Sequence, residues 1–200
     1  RQPQFDKLRV FYNHPGFVGP VSANVAEALA EFPEDRREKA ALIFTAHSIP
    51  MSMATGSLYE SQLKEACRLV GDELGRDDWS LVYQSRSGPP QQPWLEPDIL
   101  DHIRDLHQQG ITEMVIMPIG FVSDHMEVLF DLDTEAIELC SELGINMQRA
   151  KTVGTAAPFV SMIRQLIEER ALGNEKLALG PHGPCHDVCP EKCCPSGRPA

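Results

Sequence analysis

The strongest constraint on this chain is an alternation of two kinds of segment. Two nearly unbroken apolar runs, AALIFTA at residues 40–46 and EMVIMPI at residues 113–119, are set apart by stretches with helical spacing. A strand that is apolar along its whole length must be covered on both faces, whereas a strand with one wet face alternates. Such strands, separated by segments of helix length, imply parallel pairing, because a crossover through a helix returns the chain to the same end of the sheet. Weaker signals fit the scheme. Residues 8–12, 81–85 and 145–150 read as further strands, and residues 18–32, Tyr59–Leu74, 97–109, 123–143 and 156–170 as helices. Leu63, Cys67 and Val70 share one side of the helix over Tyr59–Leu74, so that side is expected to be buried. Gly110 and Gly144 are natural stops for the helices before them. The expected fold class is α/β, a parallel sheet with helices on both faces.

Residues 180–200 break the pattern, being rich in Pro, Gly and Cys and without periodicity. Such a tail has too few apolar residues to order itself and needs another tie, such as a metal. Four of the six cysteines, Cys185, Cys189, Cys193 and Cys194, lie in it. Nothing in residues 1–7 reads as a secretory signal, so ligation of a metal or cluster is expected of these thiols before disulfides. The chain begins without Met, as an excised piece of a longer protein does.

Charge and hydropathy exclude two classes of partner. The formal net charge of −11 and the lack of a basic run argue against nucleic acid. No apolar stretch approaches the roughly 18–20 residues of a membrane span, and a soluble, cytoplasmic protein is expected.

In open α/β sheets ligands bind beyond the carboxyl ends of the strands, and three polar segments follow the apolar runs. The first is Thr45-Ala46-His47-Ser48-Ile49-Pro50. His47 reads either as a loop histidine satisfying a carbonyl or as a base or metal ligand. The second runs from Tyr83-Gln84-Ser85-Arg86 to Pro93-Trp94-Leu95-Glu96-Pro97. It is either an ordinary turn with Trp94 as a core anchor, or a wall for a flat anionic ligand, with Trp94 stacking and Arg86 meeting a carboxylate. The third begins at Pro118, with Ser123 or Asp124 as candidate helix cap. Its carboxylates Glu127, Asp131 and Glu135 recur every four residues, which puts them on one helical face. A solvated acidic stripe is one reading. Against it, Leu129, Leu132 and Leu139 mark a buried face of the same helix, and the stripe starts at a strand end. Carboxylates with an imidazole suit a divalent cation such as ferrous iron.

Taken together, FTAHSIP at residues 44–50, YQSRSGP and PWLEP within residues 83–97, and PIGFVSDHMEVLFDLD at residues 118–133 closely resemble the ferrochelatase family. NHPGFV at residues 13–18 is similar to the segment that closes the family's first domain. The resemblance covers roughly residues 5–170. It implies a Rossmann-like chelatase domain, the second of two, with the porphyrin between them. Residues 1–39 would then be the last strand of the first domain and the crossover helix, 40–172 the C-terminal domain and 173–200 the Cys-rich tail, with the N-terminal domain missing and the piece alone inactive.

By the same resemblance the reaction is insertion of Fe2+ into a porphyrin in haem synthesis. His47 faces the porphyrin centre, Glu127 stands opposite, and His125 supports them. Asp131 and Glu135 continue a metal path, with His47 and Glu127 as its first ligands. Gln84, Ser85, Arg86 and Trp94 lie near the macrocycle. Coproporphyrin III is favoured over protoporphyrin IX, because a cysteine-tailed form with TAHSIP resembles the actinobacterial-type enzymes. The tail resembles, in position, one that holds a [2Fe–2S] cluster, with Cys185, Cys189, Cys193 and Cys194 as ligands or with Cys67, Cys140 or a missing residue contributing. A cobalt or nickel chelatase for a related tetrapyrrole and a non-catalytic haem- or metal-binding half-domain are the alternatives.

Overall fold

The structure is a computed structural model, and it describes residues 5–89 and 91–190. In chain order its elements are α1 (Pro15–Ala30), α2 (Glu34–Arg37), β1 (Ala41–His47), α3 (Met51–Ala54), α4 (Tyr59–Leu74), β2 (Trp79–Gln84), α5 (Ile99–Gln108), β3 (Glu113–Met117), α6 (Met126–Phe130), a π-helical turn (Asp131–Ala136), α7 (Ile137–Leu143), β4 (Asn146–Arg149) and α8 (Ala157–Leu172). The four strands form one parallel sheet in the order β2-β1-β3-β4. Leu42 pairs with Trp79 and His47 with Gln84 across β1 and β2, and Ala41 pairs with Met114 across β1 and β3.

The alternation within the apolar runs decides which layer each strand residue feeds. Leu42, Phe44 and Ala46 of β1, with Val115 and Met117 of β3, pack into one core with Val18, Val21 and Val25 of α1, Leu63, Cys67 and Val70 of α4, and Met162 and Leu166 of α8. Ile43, Met114 and Ile116 turn the other way, against Ile99 and Ile103 of α5 and Val128, Leu132, Ala136 and Cys140 beyond β3. The doubly covered parallel sheet is therefore as expected. Near α1, the close approach of α8 leaves Gly16 no room for a side chain: an added Cβ would stand 2.7 Å from Met162 Cβ.

Residues 8–12 are not a strand: no regular structure is assigned there. Their apolar spacing reports burial, but a strand needs a ladder partner and none of the described residues supplies one. The segment is held by side chains instead. The Arg9 guanidinium grips the Glu169 carboxylate at 2.6 and 2.9 Å, the two side chains 1% and 3% exposed.

The described residues after α8 are irregular, and hydrogen bonds tie part of them to the segment before α1. Arg9 Nη2 donates to the Leu177 carbonyl at 2.8 Å, and Asn13 Nδ2 donates to the Gly183 carbonyl at 2.8 Å. The Leu179 amide donates to the Asn13 carbonyl at 2.8 Å.

The helix expected over 123–143 is also different. It starts at Met126 and widens into the π-helical turn. The buried stripe Val128, Leu132, Ala136, Cys140 explains the device. A four-residue step overshoots a turn of about 3.6 residues, while a wide i→i+5 turn undershoots, so the two drifts oppose and the stripe stays on the sheet. Leu129, expected inside, is 39% exposed, because the helix begins too late for its flank to be covered.

The loop after β2 folds back on its own strand. The Tyr83 amide donates to the Pro97 carbonyl at 2.9 Å, and isolated bridges join Tyr83 to Asp98 and Pro50 to Trp94.

Candidate active site

Three strand ends converge. β1 ends at His47, whose carbonyl accepts from the Tyr59 hydroxyl at 3.0 Å. The loop after β3 crosses over β1: the Gly120 amide donates to the Thr45 carbonyl at 3.0 Å. A Cβ on Gly120 would lie 2.7 Å from Ala46 Cβ, so only glycine lets the loop come this close. That contact delivers α6 beside His47.

His47 Nδ1 stands 2.5 Å from the Ser48 carbonyl. A carbonyl only accepts, so Nδ1 carries the proton and Nε2 presents its lone pair. Nε2 lies 3.4 Å from Oε1 of Glu127, with the side chains 33% and 51% exposed. A base and an anion thus face one open space. A divalent cation entering there would meet one nitrogen and one oxygen donor.

The rest of the acidic row diverges. Asp131 turns back to the end of β2, where its Oδ2 accepts from Gln84 Nε2 at 3.1 Å and also from Ser85 Oγ. Ser85 holds a left-handed backbone, φ 61°, a conformation that costs on the order of 1–2 kcal/mol and aims its hydroxyl at Asp131. Glu135 is exposed. Among the described residues, no group of three or more His, Cys, Asp or Glu is gathered as a metal cage. His47 and Glu127 form an open pair at the surface.

His125 is the residue before α6 and packs edge-on against Phe121, with ring centroids 5.1 Å apart. It makes no side-chain cap, and neither Ser123 nor Asp124 is the cap residue. Trp94 is buried, 9% exposed, with Gly88 closed onto its ring. It anchors the loop after β2. Arg86 is exposed and donates to the Gln92 carbonyl at 3.4 Å. Met126 and Phe130 of α6 and Met53 of α3 are exposed.

The sequence reading missed the fourth strand end. Arg149 closes β4 and pairs with both Asp124 and Asp133. The signal was present: a cation at a strand's carboxyl end, following an acidic helix.

The cysteines divide. Cys67 and Cys140 are buried in the two opposite cores. Burial pushes the Cys67 thiol well up and the Cys140 thiol up to about 11, which opposes the thiolate that a metal needs. Cys185 is half-buried near Gln62, and Cys189 is exposed. Cys193 and Cys194 lie outside the described residues.

A family model described as Ferrochelatase matches residues 1–171. A ferrochelatase of Rhodopirellula baltica is 56% identical over 195 residues, which is 96% of this chain and 55% of that protein. Coproporphyrin III ferrochelatases of Streptomyces griseus and Corynebacterium glutamicum are 46% and 42% identical, over 98% and 92% of this chain and 58% and 54% of their own lengths. The chain thus spans about half the length of the curated relatives it matches.

Proposed function

The chain belongs to the ferrochelatase family, and from that premise we propose that it forms one half of a cleft in which Fe2+ is inserted into a porphyrin. The observation that carries this reading is His47 Nε2 standing 3.4 Å from the Glu127 carboxylate at the converging strand ends. A porphyrin loses two pyrrole N–H protons as the metal enters. His47 is the acceptor beside the ring, and an imidazole does this near neutral pH. Glu127 draws the cation in and balances its charge until the pyrrole nitrogens take it. The exposed Met126, Phe130 and Met53 suit an apolar macrocycle, and Arg86 suits one of its carboxylates. Trp94 supports this wall from behind, and His125 supports the site from its flank. Asp131 and Glu135 extend the acidic approach beyond Glu127.

The macrocycle is coproporphyrin III, a reading supported by the names of the relatives at 42% and 46% identity. The other wall comes from a preceding domain of the intact protein, so residues 1–200 alone are inactive. No helix among the described residues is long and apolar enough to cross a membrane, in keeping with a cytoplasmic site of action. The test is anaerobic Fe2+ insertion into coproporphyrin III by the intact protein, followed by the change in porphyrin absorbance. Turnover with Co2+ or Ni2+ and none with Fe2+ would replace iron as the substrate.

A [2Fe–2S] cluster on the tail is the second part of the proposal. It needs four thiolates, and with Cys67 and Cys140 buried in the cores the set is Cys185, Cys189, Cys193 and Cys194. Cys185 and Cys189 lie on irregular backbone that can turn toward a shared ligand. Such a cluster supplies a one-electron centre and a staple for the tail. Insertion itself proceeds at His47 and Glu127.

A further inference from the structure

Arg149 touches neither His47 nor Glu127, yet its side chain, 16% exposed, spans both supports of the site. Nη1 donates to Asp124 Oδ1 at 2.9 Å, and Nε pairs with the Asp133 carboxylate. Nη1 also lies 3.3 Å from the Ala150 carbonyl. Asp124 directly precedes His125 in the loop that delivers Glu127, and Asp133 lies inside the π-helical turn, between Asp131 and Glu135. One guanidinium therefore joins the approach to α6 with the segment that leaves it.

Those supports need a tie. α6 is five residues long, and no side chain caps its start. α6 runs without a break through the wide turn into α7, so its uncapped first turn is the end that can fray, and the wide turn it leads into is rarely adopted. Asp124, Glu127, Asp131, Asp133 and Glu135 crowd the same stretch, and their mutual repulsion pushes it apart. Arg149 supplies the opposing charge. Its planar fork also fixes a direction for each carboxylate, which a lysine's single point charge cannot do.

We propose that Arg149 is a positioning residue, holding Asp124 and Asp133 so that Glu127 stands at its distance from His47. The catalytic consequence rests on the proposed insertion reaction, whereas the clamp itself is a matter of local geometry.

The experiment compares R149K, R149M, D133N and D133N/R149M in the intact protein, by steady-state insertion and by amide hydrogen exchange. R149K keeps the charge and loses the fork, so it is expected to behave like R149M. In both, kcat falls roughly tenfold or more while KM for iron and porphyrin stays within about threefold, as for displaced catalytic groups with binding intact. Amides of residues 124–136 exchange faster, and those of β1 and α4 do not. The double variant is no worse than R149M alone, because both break one tie. A wild-type kcat in R149K, an additive loss in the double variant, or faster exchange spread over the whole domain overturns the proposal. If the wild type inserts no metal, the insertion reading falls, and the exchange of residues 124–136 in R149M still decides the clamp: unchanged protection there overturns it.

Discussion

Nε2 of His47 faces Oε1 of Glu127 at 3.4 Å, although one closes a strand and the other opens a helix beyond a different strand. The contact exists because the loop after β3 crosses β1 at Gly120. In the intact protein, His47→Ala is expected to cut Fe2+ insertion by at least about 100-fold, the scale of a lost general base. The side chain is partly open to solvent, so the far-UV circular dichroism should not change. Near-normal turnover would end the assignment of His47 as proton acceptor.

Glu127 and Glu135 share the acidic row but not its setting. Glu127 meets His47, and Glu135 is exposed two steps further on. Glu127→Gln should lower turnover roughly tenfold or more, and Glu135→Gln by less than about threefold, since only Glu127 is placed to balance charge at the ring. Equal turnover in the two variants would contradict a graded approach.

Asp131 is expected to matter for stability as well as for the metal. Its Oδ2 accepts from buried Gln84 and from Ser85. Asp131→Ala leaves the Gln84 amide without a partner, a loss of about 1–3 kcal/mol that urea titration would read. Ser85→Gly should cost less, because glycine relieves the left-handed backbone while giving up only the hydroxyl.

Acid should weaken the fold through two buried groups, His14 and Glu169. His14 is fully buried, and its Nδ1 accepts from the Gly16 amide. Burial first, and then the charge of Arg9, lower its pKa below 6.5, with Glu169 opposing in part. Below the unfolded value the unfolded chain binds more protons than the folded one, so stability falls with pH until the folded pKa is passed, and then levels off. Glu169 acts lower. Burial raises its pKa, but the hydrogen bonds and charge of Arg9 outweigh burial and leave it below 4.5. Its contribution is present above 4.5 and is lost as pH falls through that lowered value. Urea midpoints measured down the pH scale should show the first decline starting near pH 6.5, and His14→Asn should flatten it. A midpoint unchanged to pH 5 in the wild type would refute the His14 step.

Anaerobically purified intact protein should be coloured and carry iron and sulfide in roughly equal amounts, as a [2Fe–2S] centre requires. Replacing Cys185 and Cys189 by Ser should bleach it, while the protease resistance of residues 176–183 persists through Asn13 and Arg9. Colourless protein with stoichiometric zinc would instead mean a zinc site.

Much of this architecture was legible because a parallel strand buried on both faces has no room for polar residues, so β1 and β3 announce themselves. The limits are equally physical. Apolar spacing at residues 8–12 reports burial and says nothing of who pairs with the backbone. A spacing of four between Glu127, Asp131 and Glu135 fits an α-helix and a π-helical turn alike, so neither the widened turn nor the inward bend of Asp131 could be read. Trp94 satisfied the core reading, because an aromatic between prolines is as good a plug as a wall. The expected nearness of His47 and Glu127 is seen because strand ends converge, and the pairing of Arg149 went unread because its two partners are not its neighbours in the chain.

The backbone of residues 97 and 98, folded onto the outer side of β2, has one more consequence. The outermost strand of a sheet is where a stranger's strand can attach and start an aggregate. Here the place beside Tyr83 is already taken by the protein's own loop, so this margin of the sheet resists zippering. Self-association through strand addition is thereby steered toward the short β4 margin.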